Sequence, residues 1–152
     1  MIKLTEFTDA GGCGCKIDST TLTKILSYEK QEILNSSPLV IGNQNNSDFA
    51  AYKVLDDTFL VSSLDFFTPV VNSPFKFGRI AAANAVSDIY VAGGKPIFAL
   101  SILGWPTDKI DSTYAKEVMQ GAESVALECG FQIAGGHSIR NPQPIFGLSV
   151  NQ

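Results

Sequence analysis

Apolar and polar positions divide the chain into short extended runs and two long helical ones. Leu39-Val40-Ile41 is a short apolar run between Pro38 and Gly42 and predicts a strand. Ala50–Val54 and Phe59–Leu64 are joined by Asp56-Asp57 and predict a hairpin. Ile97–Leu103 is apolar throughout, which predicts a strand inside a sheet, ended by Trp105-Pro106. Phe131–Ala134 and Pro144–Val150 predict two more strands.

Ser73 as cap and Pro74 at the first helical position open a helix that runs to about Ala92, where Gly93-Gly94 and Pro96 stop it. Its middle, from Ile80 to Asp88, is nearly all small or apolar, so it predicts packing on several sides. A second long helix starts near Asp111 or Ser112. Ala115, Val118, Met119, Ala122, Val125, Ala126 and Cys129 follow the helical period, and Gly130 terminates it. A shorter helix begins at Asp18 or Ser19, groups Leu22, Ile25 and Leu26, and is broken by Ser36-Ser37-Pro38. This order predicts an α+β domain: a mixed or antiparallel sheet with helices on one face.

Composition adds boundaries to that picture. A chain of 152 residues with 45% hydrophobic and 17% charged positions suits one globular domain. The net charge of −4 and the lack of a basic stripe exclude nucleic acid as a primary partner and offer no pull toward an anionic membrane. No run approaches the ~18 apolar residues of a membrane span. Three cysteines, two of them in a C-x-C, make a poor disulfide framework, which points to a reducing, cytoplasmic setting. The last residues, Phe146–Gln152, read as strand, so the expectation is a piece of a longer protein.

Candidate chemistry falls outside the hydrophobic pattern. Asp88 lies in the small-residue helix one turn after Asn84, on the same face. A negative charge near a helix C-terminus opposes the dipole, which favours a metal or nucleotide role over a structural acid. Asp65 follows the run Phe59–Leu64 and could equally cap the following turn; Asp48 ends the loop Gly42–Asp48 and taken alone reads first as a turn residue. Three isolated acids make an oxygen-rich set that suits Mg²⁺ on phosphates better than Zn²⁺. Gly135-Gly136-His137-Ser138 reads as a tight turn or as an anion-binding nest. In Gly11-Gly12-Cys13-Gly14-Cys15-Lys16 two thiols lie beside an ammonium, which favours the thiolate nucleophile. The alternatives there are inert surface thiols or a zinc site completed by Cys129 and His137, although Cys129 fits the core stripe of its helix better.

Together these stretches resemble selenophosphate synthetase, the selenide, water dikinase family. The resemblance is carried by Gly11–Lys16, Gly42–Asp48, Asp65-Phe-Phe-Thr-Pro, Asn72–Asp88, Gly93–Pro96, Ile102–Pro106, Ala134–Ser138 and Pro144–Gly147. It implies the N-terminal ATP-binding domain of proteins similar to aminoimidazole ribonucleotide synthetase. It further implies conversion of ATP, selenide and water to selenophosphate, AMP and orthophosphate. In that likeness residues 1–17 are a flexible catalytic arm and 18–152 the ATP-binding domain. Cys13 is the catalytic thiol, Lys16 its cationic partner, and Cys15 a second family cysteine of less certain role. Asp48 and Asp88 are magnesium ligands. Lys16, Asn45, Asn46, Ser47, Asp65 and Asp88 contact ATP, and Gly136, His137 and Ser138 contact it across a homodimer. Ser47 and Phe49 depart from the usual family loop. Family chains are more than twice as long and carry a further magnesium aspartate in a second domain, so this piece alone is expected to turn over little. Another ATP-dependent enzyme of the same superfamily, or a non-catalytic thiol module for metal or chalcogen, are the competing readings.

Overall fold

The computed structural model describes residues 2–27, 38–42 and 47–152. Among them a six-stranded sheet carries two long helices on one face. The strands are β1 (Leu39–Ile41), β2 (Phe49–Leu55), β3 (Thr58–Phe67), β4 (Phe98–Trp105), β5 (Gln132–Arg140) and β6 (Ile145–Asn151). The helices are α1 (Ser19–Leu26), α2 (Pro74–Val91) and α3 (Ser112–Cys129). The sheet order is β1-β2-β3-β6-β4-β5. Every neighbouring pair is antiparallel except β4 with β5, which α3 connects as a parallel crossover.

The predicted α+β architecture is the observed one, and the caps of the long helices form as expected. The Ser73 hydroxyl accepts from the Lys76 amide, Asp111 accepts from the Thr113 amide, and Gly130 ends α3 with a left-handed φ of 75°. At the start of α1, Asp18 accepts from the Thr21 amide at 2.9 Å. The expected break at Ser36-Ser37 lies outside the described residues.

The last strand, β6, runs between β3 and β4 in the middle of the sheet. Two sequence expectations change. Asp65 does not follow a strand but lies inside β3, opposite Leu148. Gly135–Ser138 is neither a turn nor a nest but part of β5, paired with Leu100–Leu103 of β4 across a bulge. Glycine is needed there because a Cβ on Gly136 would meet the Ser101 carbonyl oxygen at 2.1 Å.

Burial explains why α2 is built from small residues. Phe77, Ala81, Ala82, Ala85, Val86 and Ile89 are buried, packed with Val118, Ala122 and Val125 of α3 and with Phe146, Leu148 and Val150 of β6. At the crossing the helix backbones nearly touch. A Cβ on Gly78 would stand 1.9 Å from the Val118 carbonyl oxygen, and one on Gly121 would stand 2.0 Å from that of Phe75. The two glycines therefore set the helix separation, and with it the position of the rest of α2 over β3.

The N-terminal residues are tied to this core. Leu4 is fully buried, and its amide donates to the Asn72 carbonyl at 3.3 Å. Further along, the Gly12 amide donates to the Thr68 carbonyl, and a Cβ on Gly11 would collide with the Pro69 carbonyl oxygen at 2.5 Å. The glycines let this segment lie flat along the connection between β3 and α2, and Gly12–Cys15 then forms a 3₁₀ turn leading to Lys16.

Candidate active site

Three elements deliver the acids. Period-2 alternation in β3 turns Val61, Ser63, Asp65 and Phe67 toward the helices. The helical period in α2 places Asn84 and Asp88 one turn apart, facing them. The loop before β2 brings Asp48 to the same edge, because Phe49 pairs with Ser63. Lys16 arrives from the N-terminal segment.

Their side chains meet. The Lys16 ammonium lies 3.3 Å from Asp48 Oδ2 and 3.4 Å from Asp65 Oδ1. Asn84 Nδ2 donates to the other Asp65 oxygen at 3.1 Å. Asp88 Oδ2 accepts from the Ser63 hydroxyl at 2.9 Å, and the same hydroxyl lies 3.1 Å from the Asp48 carbonyl oxygen. Beside this group is a hollow of about 240 Å³ lined by Gly42, Ser47, Asp48, Phe49, Ala50 and neighbouring β3 residues. Ser47 itself is folded inward, its hydroxyl donating to the Phe49 carbonyl at 2.9 Å.

The electrostatics show competition for positive charge. The Asp65 side chain is only 11% exposed, and its carboxyl is held above the ordinary range. Burial is the main cause; Lys16 opposes it, and the nearby charge of Asp88 adds to it. Burial works against the Lys16 charge, but Asp65 and Asp48 outweigh it and hold the ammonium above its usual value. One lysine thus serves a site that holds more negative charge than it can balance.

The donor chemistry fits a hard divalent cation. The acidic ligands offered are carboxylate oxygens, yet among the described residues no three His, Cys, Asp or Glu side chains form a ready metal cage. Carboxylate oxygens are the ligand type that Mg²⁺ accepts, and one or two of them would hold it with water and phosphate oxygens. The set does not suit a four-ligand zinc centre. Cys129 lies in the helical layer, whereas His137 registers with Ile102 on the open side of the sheet, so these two candidate zinc ligands are on opposite faces.

The other expected site residues are placed differently. Cys13 and Cys15 belong to the 3₁₀ turn immediately before Lys16. Asn45 and Asn46 lie outside the described residues. Gly136, His137 and Ser138 do not join the acidic group. Their strand is three places from β3 in the sheet, roughly 14 Å at the usual strand spacing. Ser63 was missed at the sequence level. The available signal was its position two residues before Asp65, on the same, otherwise apolar face of the strand.

Residues 46–151 match the family described as AIR synthase related protein, N-terminal domain. The chain belongs to that family. Within it, the chain is 49% identical over 149 residues to a protein of Shewanella baltica (strain OS155) named selenide, water dikinase, covering 98% of this chain and 42% of that one. A protein of the same name from Shewanella sp. (strain ANA-3) is 48% identical over the same length. The chain thus spans less than half the length of these curated relatives. Among solved structures of this AIR synthase related fold, AaThiL complexed with AMPPCP and TMP superposes with a TM-score of 0.63 at 20% identity, over 88% of this chain and 40% of that one. Phosphoribosylformylglycinamidine synthase II of Thermotoga maritima gives 0.54 at 12% identity, over 68% of this chain and 20% of that one. Among the described residues no helix is long and apolar enough to cross a membrane.

Proposed function

We propose that this chain is the ATP- and Mg²⁺-binding part of a selenide, water dikinase, which converts ATP, selenide and water to selenophosphate, AMP and orthophosphate. The observation that carries the reading is the meeting of Lys16, from the C-G-C-K segment, with Asp48 and Asp65 beside Asp88. The relatives of the same name support the choice of reaction.

In this reading Asp48 and Asp88 hold Mg²⁺, which supplies charge neutralisation for the phosphates. Asp65, fixed by Asn84, holds Lys16 in place. Lys16 meets the transferring phosphoryl group with its ammonium once nucleotide draws it from the carboxylates. Cys13 presents a thiolate, favoured by the neighbouring ammonium, to the selenium substrate. Asn45, Asn46 and Ser47 line the nucleotide. Gly136, His137 and Ser138 contact it from a second copy of the chain, with the open sheet face as the homodimer interface. The setting is the cytoplasm, where thiols and selenide stay reduced.

Binding is the first test. Mg²⁺·ATP titrated calorimetrically into the chain is expected to bind, and Asp88→Asn to weaken binding about tenfold or more. Failure of the unaltered chain to bind overturns the reading. For the chemical step, which calls on the second domain as well, AMP formation by the two-domain protein is expected to require selenide and to disappear in its Cys13→Ala variant. Turnover indifferent to selenide would assign the chain to another reaction of the same superfamily.

A further inference from the structure

Ser63 is a polar side chain only 2% exposed, in a strand whose other fully inward-facing neighbours are Val61 and Phe67. Burying a hydroxyl is unfavourable unless its hydrogen bonds are made. Ser63 stands between two acceptors: the Asp88 carboxylate at 2.9 Å and the Asp48 carbonyl oxygen at 3.1 Å. A serine hydroxyl carries one proton, so it donates to one of them at a time. A charged carboxylate is the stronger acceptor. The proton therefore goes to Asp88 while that carboxylate keeps its full charge.

We propose that Ser63 is a positioning residue that couples the two cation-binding aspartates, Asp88 on α2 and Asp48 in the loop before β2. The inference rests on the Mg²⁺ reading above and adds a residue to it. Asp48 needs such support. Its side chain is 58% exposed and reaches Lys16, while its backbone carbonyl lies within hydrogen-bond reach of Ser63 inside the domain. Phe49, the next residue, pairs with Ser63 across the β2–β3 ladder, so the hydroxyl acts at the point where the loop enters the sheet. In the cation-free state Ser63 orients the Asp88 carboxylate. With the charge of Asp88 neutralised, the hydroxyl is free to donate to the Asp48 carbonyl and grip the loop. Occupancy at one aspartate is thus passed to the backbone of the other through a single proton.

The test uses Mn²⁺, which shares the oxygen-ligand preference of Mg²⁺ and is visible by electron paramagnetic resonance. Mn²⁺ is titrated into the chain with a β,γ-methylene analogue of ATP present. Ser63→Ala is expected to weaken Mn²⁺ about tenfold or more, whereas Ser63→Thr, which keeps the hydroxyl, is expected to stay within about threefold of the unaltered chain. Hydrogen exchange over residues 47–50 is expected to slow when Mn²⁺ binds the unaltered chain, and to slow less in Ser63→Ala. A purely structural serine would lower the melting temperature and leave Mn²⁺ affinity unchanged. Unaltered affinity in Ser63→Ala, with binding by the parent chain intact, overturns the coupling role and leaves the proposed function standing. Absence of Mn²⁺ binding by the parent chain overturns both.

Discussion

On the covered side of the sheet, Val61, Phe67, Ala99, Phe146, Leu148 and Val150 are buried beneath α2 and α3, and the row is interrupted by Ser63, Asp65 and Ser101. On the open side, the alternate positions of the same strands carry Leu60, Leu64, Phe66, Phe98 and Leu100, each 39–50% exposed. Apolar residues left at a surface are unremarkable one by one, but a contiguous set marks an association surface. Polar groups placed under helices are costly and need partners. The covered face departs from a plain core at Ser63 and Asp65, where chemistry is expected. The open face departs from a plain surface across its width, where the proposed dimer partner would pack.

The largest effect should come from breaking the covered face at its closest contact. Gly78→Ala forces a Cβ against the Val118 carbonyl oxygen, and no flexible side chain is there to yield. The helices must separate, at about 3 kcal/mol, and the melting temperature is expected to fall by roughly 10 °C. An unchanged melting curve would show that the α2–α3 spacing is slack.

The open face gives the next largest effect. Phe66→Asp puts a charge in the middle of the exposed row, opposite Gly147, while leaving the core untouched. If that row is the dimer interface, sedimentation equilibrium should show dissociation strengthened roughly 30-fold or more, equivalent to about 2 kcal/mol. The monomer should melt at a temperature independent of concentration. A variant that associates as before would remove the open face from the interface.

Much of this contrast was legible beforehand, for reasons that also set its limits. Period and capping residues are local signals, so Ser73-Pro74, Asp111 and Gly130 marked the long helices, and alternation marked the hairpin. Acids set in apolar surroundings stood out for the same reason, and Asp65 and Asp88 do approach a common site with Asp48 and Lys16. Sheet order is non-local: nothing in Ile145–Asn151 says that it will separate β3 from β4. Gly135-Gly136 carries the composition of a turn, but its glycines answer to the Ser101 backbone on the neighbouring strand, which no local pattern reveals. Ser63 is chemically ordinary in sequence. Only the approach of Asp48 and Asp88 from two other elements gives it a role.

The smallest effect on stability should be the most informative about the covered face. Burial, aided by the charge of Asp88, raises the Asp65 carboxyl above its unfolded value despite Lys16. A carboxyl raised on folding binds its proton more tightly in the native state. Its favourable contribution is complete below the unfolded value and is lost as pH climbs through the higher folded one. Ionised Asp65 is therefore a net cost to the cation-free domain near neutrality. Asp65→Asn, which mimics the protonated acid and keeps the bulk against Asn84, should melt slightly above the parent chain near pH 7, with the difference closing near pH 4 and below. The same substitution should weaken Mn²⁺·nucleotide binding about tenfold. Gain of stability with loss of binding would mean that the covered face accepts a strained charge in order to bind a cation. If Asp65→Asn lowered the melting temperature at pH 7, the Lys16 ion pair would outweigh burial, and Asp65 would be a structural partner of the N-terminal segment.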